Sequence, residues 1–163
     1  MNHPEYIIGI DPDTDKSGIA LLEVSSRRLI VDSLTFPKII GYFHNVADSL
    51  PRERTVVVVE ASWTTAHNFH LLPSDSKAVA AKKSYHVGCN HQIGKCIAMT
   101  AEAFGLEVVL QPPLRKLWRG KDRKITHDEI IAITGADIKR TNQEVRDAML
   151  LAWYHSGLPI KLK

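Results

Sequence analysis

Tyr6-Ile7-Ile8-Gly9-Ile10-Asp11 is an apolar run that stops at an acid, and Thr55-Val56-Val57-Val58-Val59-Glu60 repeats that design. Runs this short and this apolar read as strands covered on both faces. An acid at the end of a buried strand is costly to desolvate without a partner. Glu144 and Asp147 stand three apart at the head of an apolar helical stretch, so they share one helix face. Acids on adjacent strand ends and on one helix turn can meet, and carboxylates that meet repel. Bound divalent cations are the usual remedy. Asp11, Glu60, Glu144 and Asp147 therefore form a candidate metal site suited to phosphate chemistry. Magnesium is commonly held by one or two carboxylates together with water and substrate phosphate. A pair of ions about 4 Å apart can activate water and stabilise the leaving oxygen of a phosphodiester.

Working outward from residues 6–11, the turn Pro12-Asp13-Thr14-Asp15-Lys16-Ser17-Gly18 leads to a second strand over 19–24, and 27–36 alternates well enough for a third. Three strands joined by short turns predict an antiparallel meander. Residues 38–50 carry apolar positions at helical spacing and stop at Pro51. After the strand at 55–60, residues 61–76 show no period and read as a loop. A helical pattern runs from Lys77 to about Phe104, with an interruption expected near Gly88 or Gly94 and a stop at Gly105. A short strand follows over 106–110. Thr126 stands three before Glu129, a capping box for a helix over 127–134. A last helix covers 142–155. Strands first, then alternating helices and strands, predict a mixed α/β sheet with helices on its faces.

The 163 residues suit one domain over 1–163 with one sizeable core. Hydrophobic residues make up 44% and charged residues 24%, which is ordinary soluble globular material. No stretch approaches a membrane span. The N-terminus has no secretory pattern, and two cysteines make no disulfide framework, so a cytoplasmic location is expected. Net charge is only +3, but its distribution is uneven. Residues 111–124 hold six basic side chains (Arg115, Lys116, Arg119, Lys121, Arg123, Lys124) against one acid, Asp122. Residues 76–95 hold four lysines, Lys77, Lys82, Lys83 and Lys95, and no acid. Clusters like these favour a phosphate backbone, though solvated surface is their ordinary use.

Each acid also has an ordinary use. Thr141-Asn142-Gln143-Glu144 fits a second capping box, Asp147 could favour the positive end of the helix dipole, and Asp11 and Glu60 could pair with arginines. The four together are harder to explain that way, because two strands and one helix deliver acids to ends that can meet. His86, Cys89, His91 and Cys96 do not match common zinc spacing and would not share one helix face. No phosphate-binding lysine loop or nucleophile elbow is present.

Gly9-Ile10-Asp11-Pro12, the later Gly18, Val57-Val58-Val59-Glu60 and Glu144-Val145-Arg146-Asp147-Ala148 resemble, in this order, the blocks of the RuvC-type Holliday-junction resolvases of the ribonuclease H-like superfamily. The resemblance covers nearly the whole chain. It extends to Pro112-Pro113-Leu114-Arg115-Lys116, Gly120 and Lys124 in the basic segment. Asp13 stands where the family usually has glycine, and the segment between Glu60 and the next helix is long for it. The family's glycine-rich start to that helix, a contributor to its dimer interface, is matched only in part by Gly88 and Gly94.

The resemblance implies a ribonuclease H-like sheet of five strands, the first three antiparallel and the rest parallel, with helices on both faces. It implies an endonuclease that nicks four-way DNA junctions in pairs as a homodimer, leaving 5′-phosphate and 3′-hydroxyl ends, with no membrane and no small-molecule cofactor. Asp11, Glu60, Glu144 and Asp147 would hold two magnesium ions, with manganese able to replace them, and Asp11 would bridge the pair. Lys124 would stabilise charge on the scissile phosphate. Lys116, Arg115, Arg119, Lys121, Arg123, Lys77, Lys82 and Lys83 would hold DNA. Trp63 or Phe69 would stack on bases near the branch point. Glu144 sits where the family varies. Two other classes stay open: a non-catalytic, structure-selective DNA-binding protein, and a nuclease of the same fold acting on flaps, forks or RNA-containing duplexes.

Overall fold

The computed structural model describes residues 4–65 and 71–161. Five strands form one sheet in the order β3-β2-β1-β4-β5. They are β1 (Tyr6–Asp11), β2 (Ser17–Glu23), β3 (Arg28–Leu34), β4 (Thr55–Glu60) and β5 (Glu107–Gln111). β1, β2 and β3 pair antiparallel; β4 runs parallel to β1, and β5 parallel to β4. Among the described residues four α-helices accompany the sheet: α1 (Phe36–Ser49), α2 (Lys77–Ala103), α3 (His127–Thr134) and α4 (Gln143–His155).

Strand alternation divides the core in two. Ile8, Ile10, Ile19, Val57 and Val59 pack with Ile39, Phe43 and Ile97 on the face covered by α1 and α2. Ile7, Ala20, Leu22, Val56 and Val58 pack with Ile130, Ala148, Met149 and Trp153 on the face covered by α3 and α4. Each fully buried side chain of this size contributes about 1.5–3 kcal/mol. The same period of two decides where the acids go. Asp11 follows Ile7 and Gly9, and Glu60 follows Val56 and Val58, so both acids belong to the α4 face.

Small residues let α4 lie directly on that face. A Cβ at Gly9 would collide with the carbonyl of Ala148 and come 2.8 Å from the amide nitrogen of Ala152. A Cβ at Gly18 would collide with the carbonyl of Glu144. Gly18 pairs with Asp11 across the β1–β2 ladder. The first turn of α4 is thereby seated over the end of β1.

Three local expectations are corrected. α2 runs unbroken through Gly88 and Gly94. A Cβ at Gly94 would collide with the Trp63 ring and lie 3.2 Å from Pro12, so this glycine makes room for a packed tryptophan without breaking the helix. α4 has no capping box: Asn142 is its N-cap, accepting from the Val145 amide at 2.9 Å, and Glu144 is left free of that duty. Residues 61–76 are not wholly irregular, because a 3-10 turn covers Ser62–Thr64. No helix among the described residues is long and apolar enough to cross a membrane.

Candidate active site

The β1–β4 register pairs Ile10 with Val59, and carrying it one residue further sets Asp11 beside Glu60. α4, seated on Gly9 and Gly18, brings Glu144 and Asp147 over the same strand ends. All four carboxylates line one cavity of about 210 Å³. Its other walls include Ser62, Asn90, Pro113, Arg115, Lys116, Trp118 and Lys124.

The electrostatics are those of acids pressed together. Burial holds the Asp11 carboxyl well above the usual range, and the charges of Glu60, Asp147 and Glu144 push it further, against the pull of Lys124. Burial and then Asp147 push Glu60 up to about 6, with Lys116 and Lys124 pulling the other way. Asp147 is also raised by burial, although Lys124, a hydrogen bond from Gln143, Lys116 and Arg146 all oppose the shift. The Lys124 ammonium stands 3.8 Å from Asp147 Oδ2.

Such a set calls for positive charge beyond the two lysines. Among the described residues that line the cavity the donors are carboxylates, with neither thiol nor imidazole, and hard divalent cations take such oxygen ligands. Among the described residues, no three His, Cys, Asp or Glu side chains are gathered closely enough to enclose an ion as they stand. The acids line an open cavity, as mutual repulsion favours, without forming a closed cage.

The expected DNA contacts divide. Arg115 and Lys116 are exposed and line the cavity. Arg119, Lys121 and Arg123 are exposed on the turn that precedes Lys124. Lys77 and Lys82 are exposed on the first half of α2, away from the cavity lining. Lys83 is engaged: its ammonium donates to both carboxylate oxygens of Asp75 at 2.7 and 2.8 Å. Trp63 is half-buried in a seat made by Gly94 and Pro12, edge-on to His91 at 6.4 Å between ring centres. Phe69 lies outside the described residues.

Sequence reading assigned no part in the site to three residues bonded to it or to the segment that carries Lys124. Gln143 donates to Asp147 Oδ1 at 2.9 Å, and Arg146 donates to Gln143 Oε1 at 2.8 Å, which orients the amide. Arg146 also donates to the backbone carbonyls of Ile125 at 3.0 Å and Thr141 at 2.8 Å, tying α4 to the segment that carries Lys124. Glu129 is a buried carboxylate at the other end of that segment. Its capping box with Thr126 was legible; its bonds to Arg119, ten residues back, were not.

A mixed sheet in this order, antiparallel over β1–β3 and parallel from β1 to β5, with helices on both faces, is the ribonuclease H-like fold. In particular it is the fold of T. thermophilus RuvC. The chain is similar to T. thermophilus RuvC in complex with a Holliday-junction substrate, with a TM-score of 0.51 and 16% identity over 90% of this chain and 89% of that one. A second Thermus thermophilus RuvC structure superposes at 0.46 with 17% identity, over 94% of this chain and 97% of that one. A Fowlpox virus resolvase with its substrate Holliday-junction DNA superposes at 0.40 with 14% identity, over 93% and 97%. No family model and no curated protein sequence matches the chain.

Proposed function

We propose that this chain is a metal-dependent endodeoxyribonuclease that resolves four-way DNA junctions by paired nicks. The observation that carries the reading is the meeting of Asp11, Glu60, Glu144 and Asp147 with Lys116 and Lys124 around one cavity. The similarity of fold to a RuvC captured with a Holliday junction supports the substrate class.

Asp11, Glu60, Glu144 and Asp147 would hold two magnesium or manganese ions, which when bound supply charge neutralisation and activation of water for phosphodiester hydrolysis. Lys124, held beside Asp147, offers its charge to the scissile phosphate, where negative charge builds during reaction. Lys116 and Arg115 grip the flanking backbone at the cavity mouth. Gln143 and Arg146 hold the Asp147 carboxylate in one orientation. The products are 5′-phosphate and 3′-hydroxyl ends. Symmetric nicking needs two sites, hence a homodimer. The first half of α2 supports this, exposing Val79 and Tyr85 with relative accessibilities of 45% and 69%. A cytoplasmic setting and no small-molecule cofactor complete the reading.

The test is a side-by-side assay on a synthetic four-way junction, a fork, a flap and an RNA–DNA hybrid, with magnesium, manganese or EDTA. The proposal expects metal-dependent nicking with the junction preferred. Binding without cleavage under any metal would make the chain a structure-selective DNA-binding protein. Equal or better cleavage of flaps, forks or hybrids would reassign the substrate.

A further inference from the structure

The segment that carries Lys124 is bent against its own preferences. Asp122 and Arg123 both have positive φ, 55° and 59°. Left-handed backbone costs about 1–2 kcal/mol at a residue other than glycine. Such a conformation persists only where surrounding contacts over-determine it. The turn itself supplies some of them: the Trp118 amide donates to the Arg123 carbonyl at 3.2 Å, and the Gly120 amide to the Lys124 carbonyl at 3.0 Å. Gly120 has no alternative, since a Cβ there would collide with the Lys124 carbonyl.

The remaining contacts converge on one carboxylate. Glu129 is 3% accessible. It accepts from the Arg119 amide at 3.1 and 3.3 Å, from the Thr126 amide at 3.0 Å and from the Thr126 hydroxyl at 2.9 Å. The Arg119 guanidinium adds an ion pair at 3.4 Å. Burial alone would raise its pKa, but the Thr126 and Arg119 bonds outweigh that and keep it below the usual range, so the group stays ionised. A helix cap needs only the Thr126 half of this arrangement. The Arg119 half does something else: it ties the start of the 119–126 segment to its end. On the far side, Arg146 grips the Ile125 carbonyl.

We infer that Glu129 is a positioning residue for the nuclease reaction: its carboxylate closes the 119–126 loop and thereby holds Lys124 against the carboxylate cluster. The inference rests on the proposed nuclease reading for its catalytic consequence, but the clamp can be measured without any activity. Glu129→Gln keeps the shape and replaces an acceptor oxygen with a donor, which must oppose one of the amides now bonded there.

Three readouts test this in the full-length protein. Amide hydrogen exchange at Arg119 and Thr126 should accelerate in Glu129→Gln, while exchange in β1 and β4 holds. Acylation of Lys124 by a dilute amine reagent, read by mass spectrometry against Lys121, should rise several-fold. In single-turnover junction cleavage, the rate at saturating enzyme should fall by about 10- to 100-fold, the scale expected of a catalytic group displaced by about 1 Å. Adding Glu129→Gln to Lys124→Ala should then cost nothing further. Gly120→Ala, a separate lesion in the same loop, should reproduce the pattern. Unchanged exchange and unchanged Lys124 labelling would overturn the clamp, as would cleavage at the wild-type rate or a double variant slowed by the full product of the single effects. A wild-type protein that cleaves no branched DNA sinks the nuclease reading instead, and the exchange and labelling results still decide the clamp.

Discussion

Neutralising Glu60 should make the metal-free protein more stable. In the folded chain Glu60 titrates at about 6 in place of 4.5, because it is buried beside Asp147. Folded-state pKa above unfolded-state pKa means that the fold holds this proton more tightly. The penalty is therefore absent below about pH 4.5, grows as the pH rises, and is complete above about 6. A gap of about 1.5 pH units corresponds to about 2 kcal/mol. For a chain of this size that is about 4–8 °C in melting temperature. Glu60→Gln, scanned by calorimetry in EDTA, should melt higher than wild type by that amount at pH 8 and by little at pH 4.5. Magnesium or manganese should reverse the order. A ligand at 100 times its Kd stabilises by about 2.7 kcal/mol, and the variant lacking Glu60 should lose most of that increment. A variant that melts lower than wild type at pH 8 in EDTA would refute the claim that unrelieved carboxylates burden this site. An equal metal-induced shift in both proteins would refute Glu60 as a ligand.

Gly18→Ala places a methyl group against the Glu144 carbonyl and must push α4 off the sheet; a loss of about 1–3 kcal/mol in urea unfolding is expected, with cleavage falling more than stability because Glu144 and Asp147 move. An unchanged urea midpoint would contradict the close seating of α4. Met149→Ala, in the core under α4, should cost about 2–5 kcal/mol, and a loss under 1 kcal/mol would mean that this core is looser than described. Lys116→Ala should weaken junction binding at low salt and lower the slope of log affinity against log salt by about 1. A slope equal to that of wild type would remove Lys116 from the DNA surface.

The acids were legible because two simple regularities carry them. Strand alternation puts Asp11 and Glu60 on one face, and i, i+3 spacing puts Glu144 and Asp147 on one helix turn. β1, β4 and α3 were legible to the residue, since apolar runs ending at an acid and a Thr126–Glu129 capping box mark their ends. The continuity of α2 was not legible, because Gly94 reads locally as a breaker and its reason is Trp63, thirty-one residues away. The N-cap of α4 was displaced by one residue, because Thr141 and Asn142 are both good caps and only the Val145 amide's choice of Asn142 decides between them. Gln143, Arg146 and Glu129 act by bonding backbone and side chains at a distance, and residue type alone does not announce that.

The central claim is that four carboxylates form one hydrolytic centre for branched DNA. Asp147→Asn tests it most directly, because the change keeps volume and the Gln143 contact while removing one negative charge. Incubated with a labelled four-way junction and magnesium, wild type should nick opposing strands and leave 5′-phosphates, while the variant binds the junction and leaves it intact. Undiminished cleavage by the Asp147→Asn protein would contradict the account.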